Sequence, residues 1–213
     1  MKKRFSLTTT HIIMIGFLLT ILTGTFFLSL PISSAHGNAA SFWDALFTAT
    51  TATCGAELVV MPPVSSWSGF GQVVILLLIQ IGGLGVVTIM SGLMILLHKK
   101  MGINDRLLLQ DAFNLNSLSG LVRFVKKVVI GTLVIEGIGA LLYMTVFIPD
   151  FGQKGIWISI FTSVSAFCNA GIDIIAENSL CDYALNPMVN TVTCLLIVIG
   201  GIGYIVWWDI IRV

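Results

Sequence analysis

Charged side chains are scarce in this sequence. Only 10% of its 213 residues are Asp, Glu, Lys or Arg, whereas 56% are hydrophobic and the mean hydropathy is +1.00. A soluble domain of this size carries about 25% charged residues, so the composition indicates a membrane protein whose surroundings are lipid. The few basic residues flank the apolar runs, which argues against a nucleic-acid partner.

Cysteine and histidine are also few, with four of the first and three of the second. None of them shows the close Cys/His spacing of a zinc or redox site. No pairing of a nucleophile with a general base is recognisable either. We therefore expect no organic cofactor and no enzymatic activity.

The charges that are present alternate along the chain. The Lys and Arg residues stand at the N-terminus, within 98–127 and at the C-terminus, with Lys154 as the exception. The two stretches between contain the acids Asp44, Glu57, Asp150, Asp173, Glu177 and Asp182. Lys and Arg are enriched in cytoplasmic loops of membrane proteins. We expect a multi-pass protein of the cell (inner) membrane with both termini and the 98–127 loop in the cytoplasm.

Four apolar runs are long enough to cross a bilayer, which needs about 20 helical residues. They are 11–30, 70–98, 126–149 and 187–211. A cleaved signal peptide is the alternative for the first run, because Lys-Lys-Arg precedes it and Ser-Ser-Ala follows it. That run is longer than the usual hydrophobic region of a signal peptide, which favours a span.

The chain contains an internal repeat. FTATTATCGAELVV begins at Phe47 and FTSVSAFCNAGIDI at Phe161, 114 residues later, while IGGLG at 81–85 precedes IGGIG at 199–203 by 118 residues. Each unit returns to the same side of the membrane, so the units run parallel. The predicted fold is an all-α integral membrane protein with two span–pore-loop–span repeats, hence four transmembrane helices and two re-entrant pore helices. The units are 1–98 and 124–213, joined by a cytoplasmic connection over 99–123.

Two less apolar segments, 40–53 and 154–168, are too short to cross the membrane. A short helix that enters from outside points its negative C-terminal end at the membrane centre, which favours a cation. The loop that follows needs unusual backbone angles, and glycine, here Gly171, reaches them at no steric cost. The carbonyl groups of this loop can then replace part of an ion's water shell. The alternative is a loop that only packs between helices.

Acidic residues accompany both short segments. Asp44, Asp173 and Glu177 lie on the predicted outer side and are candidates for a mouth that attracts cations. The alternative for each is a solvated side chain in an outer loop.

Several stretches together resemble a known family. FTATTATC, LLLIQIGGLG, RLLLQDAFNLNSLSGLVR, SAFCNAG and VIGGIGYIVWWDI are similar to segments of the Trk/Ktr/HKT superfamily of potassium transporters, and more closely to its TrkH/KtrB membrane subunits. The resemblance covers essentially the whole chain. It implies transport of potassium, or another monovalent cation, across the cytoplasmic membrane, with K⁺ as the transported ion.

By this resemblance, four residues in each loop supply the carbonyl groups that coordinate the ion. They are Cys54, Gly55, Ala56 and Glu57 in the first unit and Cys168, Asn169, Ala170 and Gly171 in the second. Family members place four units around one pore, as a membrane dimer on a cytosolic nucleotide-binding ring. The implied partners are membrane lipid, a second copy or a complementing membrane subunit, and a regulatory subunit similar to TrkA or KtrA.

The sequence departs from this family in its length. It stops at WWDIIRV, where the second unit of the family ends. Two pore loops do not encircle an ion that the family holds with four. Either two copies associate, or a partner supplies the other half, or the chain is a truncated product, and truncation is our expectation. The functional alternative is a non-conducting subunit or remnant that only associates with other Trk/Ktr components.

The second departure is Glu57, which stands where the family has the filter glycine. A non-glycine residue in left-handed geometry costs on the order of 1–2 kcal/mol. Its side chain also obstructs the ring or binds a cation too tightly, so we expect an impaired first loop. The alternative is that Glu57 turns outward to the mouth.

Another carboxylate, Glu136, lies in the middle of the third predicted span. A carboxylate at that depth needs a partner or water. We favour a hydrogen bond between helices over a role in the ion pathway. The two glycine runs at 82–85 and 200–203 predict close helix packing.

Overall fold

The computed structural model describes residues 9–35, 37–85, 88–89, 91, 107, 121–204 and 206–207. Nearly all of the predicted cytoplasmic connection 99–123, the basic residues at 2–4 and the C-terminal stretch 208–213 lie outside the described residues. Within the described ranges all regular secondary structure is helical, as the composition predicts.

Seven α-helices form the described structure. They are α1 (Thr9–Leu28), α2 (Phe42–Cys54), α3 (Pro63–Ser66), α4 (Gly69–Leu84), α5 (Leu121–Phe151), α6 (Lys154–Phe167) and α7 (Pro187–Gly201). Short 3₁₀ helices at Pro31–Ser33 and Ser179–Tyr183 lie in the connections.

Helices α1 and α5 correspond to the first and third predicted spans. Their apolar segments Thr10–Leu28 and Val122–Phe151 are long enough to cross a membrane. Much of their apolar surface faces outward, for example Leu18 and Leu141, which are 55% and 64% exposed. An apolar surface this extensive is typical of a lipid-facing helix.

Helices α2 and α6 confirm the prediction of short helices in the two repeated segments. They contain 13 and 14 residues. At 1.5 Å per residue each is about 20 Å long, less than the roughly 30 Å of a bilayer's apolar core.

Helices α4 and α7 begin as the repeat predicts and end earlier than expected. Their N-terminal caps are 118 residues apart: the Ser68 hydroxyl accepts from the Gly71 amide at 3.3 Å, and the Asn186 side chain accepts from the Met188 amide at 3.0 Å. The predicted spans 70–98 and 187–211 each contain a break, because α4 ends at Leu84 and α7 at Gly201.

The physical cause of these early ends is the last glycine of each run. Gly85 has φ 80° and Gly203 has φ 89°, angles that no right-handed helix contains. Described residues beyond each glycine, 88–89 and 206–207, are helical again. Both runs therefore interrupt their helix at the same position of the repeat.

Each short helix packs between the two longer helices of its own unit. Helix α2 contacts α1 and α4, helix α6 contacts α5 and α7, and a further contact between α4 and α6 joins the units. The buried face of α2 consists of alanines and threonines, whose small side chains allow close helix approach (Ala45, Thr48, Ala49, Thr51, Ala52 and Thr53). On α5, the rings of Tyr143 and Phe147 stack at 5.4 Å within the second unit.

Glycine allows the closest of these approaches, as the two glycine runs predict. A methyl group placed on Gly82 of α4 would overlap the carbonyl oxygen of Thr53, in the last turn of α2. In the second unit, a methyl group on Gly200 of α7 would overlap the carbonyl oxygen of Phe167, in the last turn of α6. The same contact thus fixes the C-terminal end of each short helix.

We predict that Gly82→Ala and Gly200→Ala each destabilise the protein by about 1–3 kcal/mol, because the clash is with rigid backbone. The matched control is Gly137→Ala, in the interior of α5, where an added methyl group meets no atom within 4 Å. Unfolding of the purified protein in detergent measures both effects. A loss for Gly137→Ala as large as for the other two would contradict the assignment.

Candidate ion-binding site

The two loops that follow the short helices share one backbone conformation. In the first loop Gly55 and Glu57 have φ 62° and 59°, and in the second loop Asn169 and Gly171 have φ 52° and 60°. These four left-handed residues are two pairs, each separated by 114 residues. A left-handed Gly55 therefore preserves the match between the units, because Asn169 adopts the same conformation.

A hydroxyl group from the short helix braces each loop. The Thr51 hydroxyl accepts from the amide of Leu58 at 3.1 Å, and the Ser165 hydroxyl accepts from the amide of Ile172 at 3.0 Å. The amide two residues before each donor bonds to the backbone carbonyl of the same Thr or Ser, at 3.2 Å and 2.9 Å. Sequence reasoning missed these braces, although a hydroxylated residue at the same position of both repeats was a usable signal.

The two loops meet each other. A methyl carbon built on Gly55 would lie 3.2 Å from the carbonyl oxygen of Asn169 and 3.9 Å from that of Cys168. The C-terminal ends of α2 and α6, each carrying roughly half a negative charge, therefore come together at one place. The eight residues predicted to coordinate an ion lie in these loops, between Cys54 and Glu57 and between Cys168 and Gly171.

The Glu57 side chain crosses from the first loop to the second. A methyl carbon built on Gly171 would lie 2.7 Å from Cγ of Glu57 and 3.0 Å from its Cδ. The carboxylate-bearing chain thus covers the one glycine of the second loop. Gly171 has two reasons to lack a side chain, its positive φ and this contact.

The predicted outer acids separate into two groups. Asp173 and Glu177 line a cavity of about 280 Å³ beside Gly171. Both carboxylate oxygens of Asp173 are occupied, one by the amide of Ile175 at 3.1 Å and the other by the hydroxyl of Ser179. Asp44 instead lies in the first turn of α2, at the far end of that helix, and does not line this cavity.

A smaller cavity of about 100 Å³ lies behind the second loop. Its lining includes Glu57, Asp173, Asn169 and Thr162. The Thr162 hydroxyl is buried and has no hydrogen-bond partner among the described residues. A cavity of this size has room for about three waters.

The candidate site offers oxygen atoms as ligands for a cation. Among the described residues, no group of three or more His, Cys, Asp and Glu side chains is placed to hold a metal ion. What the loops offer instead is backbone carbonyl groups, together with the carboxylate of Glu57. Such ligands suit weakly bound, hard cations better than transition metals.

Glu136 confirms the predicted hydrogen bond between helices. It is 5% exposed, and its Oε1 accepts from the Gln80 amide group on α4 at 3.0 Å. Its Oε1 also accepts from the thiol of Cys168 at 3.8 Å. The sequence offered no signal for this second contact, which depends on how α5 packs against the end of α6.

The chain is similar in sequence to known cation transport and uptake proteins. The sequence model of a family described as TrkH, cation transport protein, matches residues 2–213. The chain is 41% identical to the potassium/sodium uptake protein NtpJ of Enterococcus hirae, over 99% of this chain and 47% of that protein. It is 39% identical to the Ktr system potassium uptake protein B of Bacillus subtilis, over 95% of this chain and 45% of that protein. The chain spans about half the length of these curated relatives.

We predict that Ser165→Ala destabilises the protein more than Thr51→Val does. Ile172 is 2% exposed, so removing the hydroxyl leaves its amide buried without a partner, which costs about 1–3 kcal/mol. Leu58 is 59% exposed, so solvent can replace the Thr51 hydroxyl and the loss should be smaller. Detergent unfolding of the two variants tests this order, and the reverse order would contradict the bracing roles.

Proposed function

Because the chain belongs to the TrkH family of cation transport proteins, we propose that it forms part of a membrane pore for potassium and related monovalent cations. The observation that carries this proposal is the pair of loops at the ends of α2 and α6. They have left-handed residues at equivalent positions, and they meet where two helix C-termini converge.

The chemistry of such a site follows from its backbone. Left-handed residues on either side of a single residue turn successive carbonyl groups in directions that a helix or strand does not allow. Carbonyl oxygens arranged in this way replace the water shell of a monovalent ion, and they hold it weakly enough to release it. In this proposal the coordinating carbonyls are those of 54–57 and 168–171.

The arrangement in the membrane is part of the proposal. Helices α1 and α5 cross the bilayer, as do α4 and α7 together with the residues beyond their glycine breaks. Helices α2 and α6 enter from outside and end at mid-depth, where irregular backbone is tolerated because it lines water or protein. The units are parallel repeats, and both termini are cytoplasmic. The cavity beside Asp173 and Glu177 then opens outward and attracts cations.

The partners of the pore are also proposals. Two loops surround an ion on two sides, so we propose that a second copy or a complementing membrane subunit supplies the remaining loops. A cytosolic nucleotide-binding subunit similar to TrkA or KtrA would regulate it. Three relatives are named as proteins of a Ktr system, which supports a multi-subunit assembly.

A second candidate function is a membrane subunit that associates with such components and does not conduct. The contact of Glu57 with Gly171 favours it. A carboxylate that covers the glycine of the neighbouring loop occupies space beside the carbonyls of both loops. It also offers a cation a stronger ligand than a carbonyl group.

We predict that Glu57→Gly increases rubidium uptake in cells that lack their own potassium uptake systems. If the side chain raises the barrier to permeation by about 1.4 kcal/mol, its removal raises the rate about tenfold. The matched control is Gly171→Glu, which adds a carboxylate to the second loop and should abolish uptake. Membrane abundance of each variant is measured by immunoblot.

Growth at low potassium separates the two candidate functions. Rescue by the unmodified chain would contradict the non-conducting role. Absence of rescue by both the unmodified chain and Glu57→Gly, at equal membrane abundance, would contradict transport by this chain.

A further inference from the structure

The Glu136 carboxylate joins three helices at the base of the second loop. Oε1 accepts from Gln80 on α4 and from the thiol of Cys168, the residue that directly follows α6. The backbone carbonyl of Glu136 accepts from the Ser163 hydroxyl on α6 at 2.7 Å. One residue of α5 thus contacts both the helix that precedes the loop and the first residue of the loop.

The thiol of Cys168 is held from two sides. A methyl group placed on Gly83 of α4 would overlap its sulfur and would lie 2.6 Å from its Cβ. Glu136 lies on the other side, within hydrogen-bonding distance of the sulfur. A side chain confined in this way restricts the backbone that carries it, including the carbonyl group of Cys168.

The first unit has no equivalent of this arrangement. Cys54, the counterpart of Cys168, is exposed. Gly24 of α1 meets Leu78 as Gly139 of α5 meets Leu196, so equivalent positions of these two helices are 115 residues apart and the counterpart of Glu136 is the apolar Ile21. The residue 118 positions after Gln80 is Val198, which is 57% exposed. The contacts to Glu136 are therefore specific to the second loop and are not a consequence of the repeat.

We propose that Glu136 is a positioning residue that clamps the second loop through Cys168 and sets the direction of its first carbonyl group. The proposal rests on the proposed function only in treating that loop as a cation-coordinating one. Glu136 acts as a hydrogen-bond acceptor and not as an ion ligand, because its side chain is enclosed by α4, α5 and the end of α6.

The test follows the reactivity of Cys168 in the full chain in lipid nanodiscs, with the other three cysteines replaced by alanine. The measured quantity is the rate of modification by methyl methanethiosulfonate. Glu136→Leu keeps the volume and removes the acceptor. It should raise the rate about fivefold to tenfold, because a typical hydrogen bond contributes about that factor. Glu136→Gln keeps an acceptor oxygen and should stay within about threefold of the parent.

Three controls distinguish positioning from general loosening or loss of charge. Tyr143→Phe removes the 2.6 Å contact between α5 and Thr193 and should lower the melting temperature without changing the Cys168 rate. A chain that retains only Cys54 should show no response to Glu136→Leu. Gln80→Leu, which frees one side of the carboxylate, should raise the Cys168 rate and serves as the test if Glu136→Leu does not fold.

The outcomes are separable from those of the proposed function. Unchanged Cys168 reactivity in folded Glu136→Leu, an equal rise at Cys54, or Glu136→Gln behaving as Glu136→Leu would each overturn the clamp. The same rates are measured in potassium and in choline. If potassium slows modification in no variant while the Glu136 effect persists, ion coordination by this loop fails and the clamp stands.

Discussion

The contact on which the structure depends is that of a glycine with the carbonyl group at the end of a short helix. Gly82 packs against the carbonyl oxygen of Thr53 in the first unit, and Gly200 packs against that of Phe167 in the second. Any side chain at either glycine would push the helix end away from its neighbour and separate the loops that follow. Because both contacts are made, the ends of α2 and α6 come close enough for Gly55 to meet Asn169. Helix packing in the apolar interior thereby determines where the polar loops lie.

The two loops have left-handed residues at equivalent positions but differ in the side chains at those positions. The left-handed positions hold Gly and Glu in the first loop and Asn and Gly in the second, so each loop has one glycine at a different place. Asn is among the residues that tolerate this conformation best, whereas for Glu the conformation costs on the order of 1–2 kcal/mol. The second loop also gains the contacts of Glu136, which the first lacks. The second loop is accordingly the better defined half of the candidate site, and Glu57 marks the first as the weaker half.

The sequence predicts that the protein is helical, that it contains two short helices and that an equivalent loop follows each of them. Each of these features depends on composition or on the repeat. It also predicts the interhelical hydrogen bond of Glu136, because a carboxylate in a long apolar run requires a partner. It does not predict the ends of α4 and α7, since a glycine within an apolar run is compatible both with a helix and with the positive φ that Gly85 and Gly203 adopt. The left-handed Asn169 is hidden because it depends on how the loop folds back on its helix. The brace from Ser165 depends on the same fold, and its trace in the sequence is the hydroxylated residue repeated at 51 and 165.

The central claim is that carbonyl groups of the second loop coordinate potassium. Carbon-13 labelling of the cysteine carbonyls marks Cys168 alone when the other three cysteines are replaced by alanine. The difference between infrared spectra recorded in potassium and in choline then reports on that one carbonyl group in the membrane-embedded chain. Our account predicts a potassium-dependent shift of the labelled amide I band. A labelled band that is the same in potassium and in choline would contradict it.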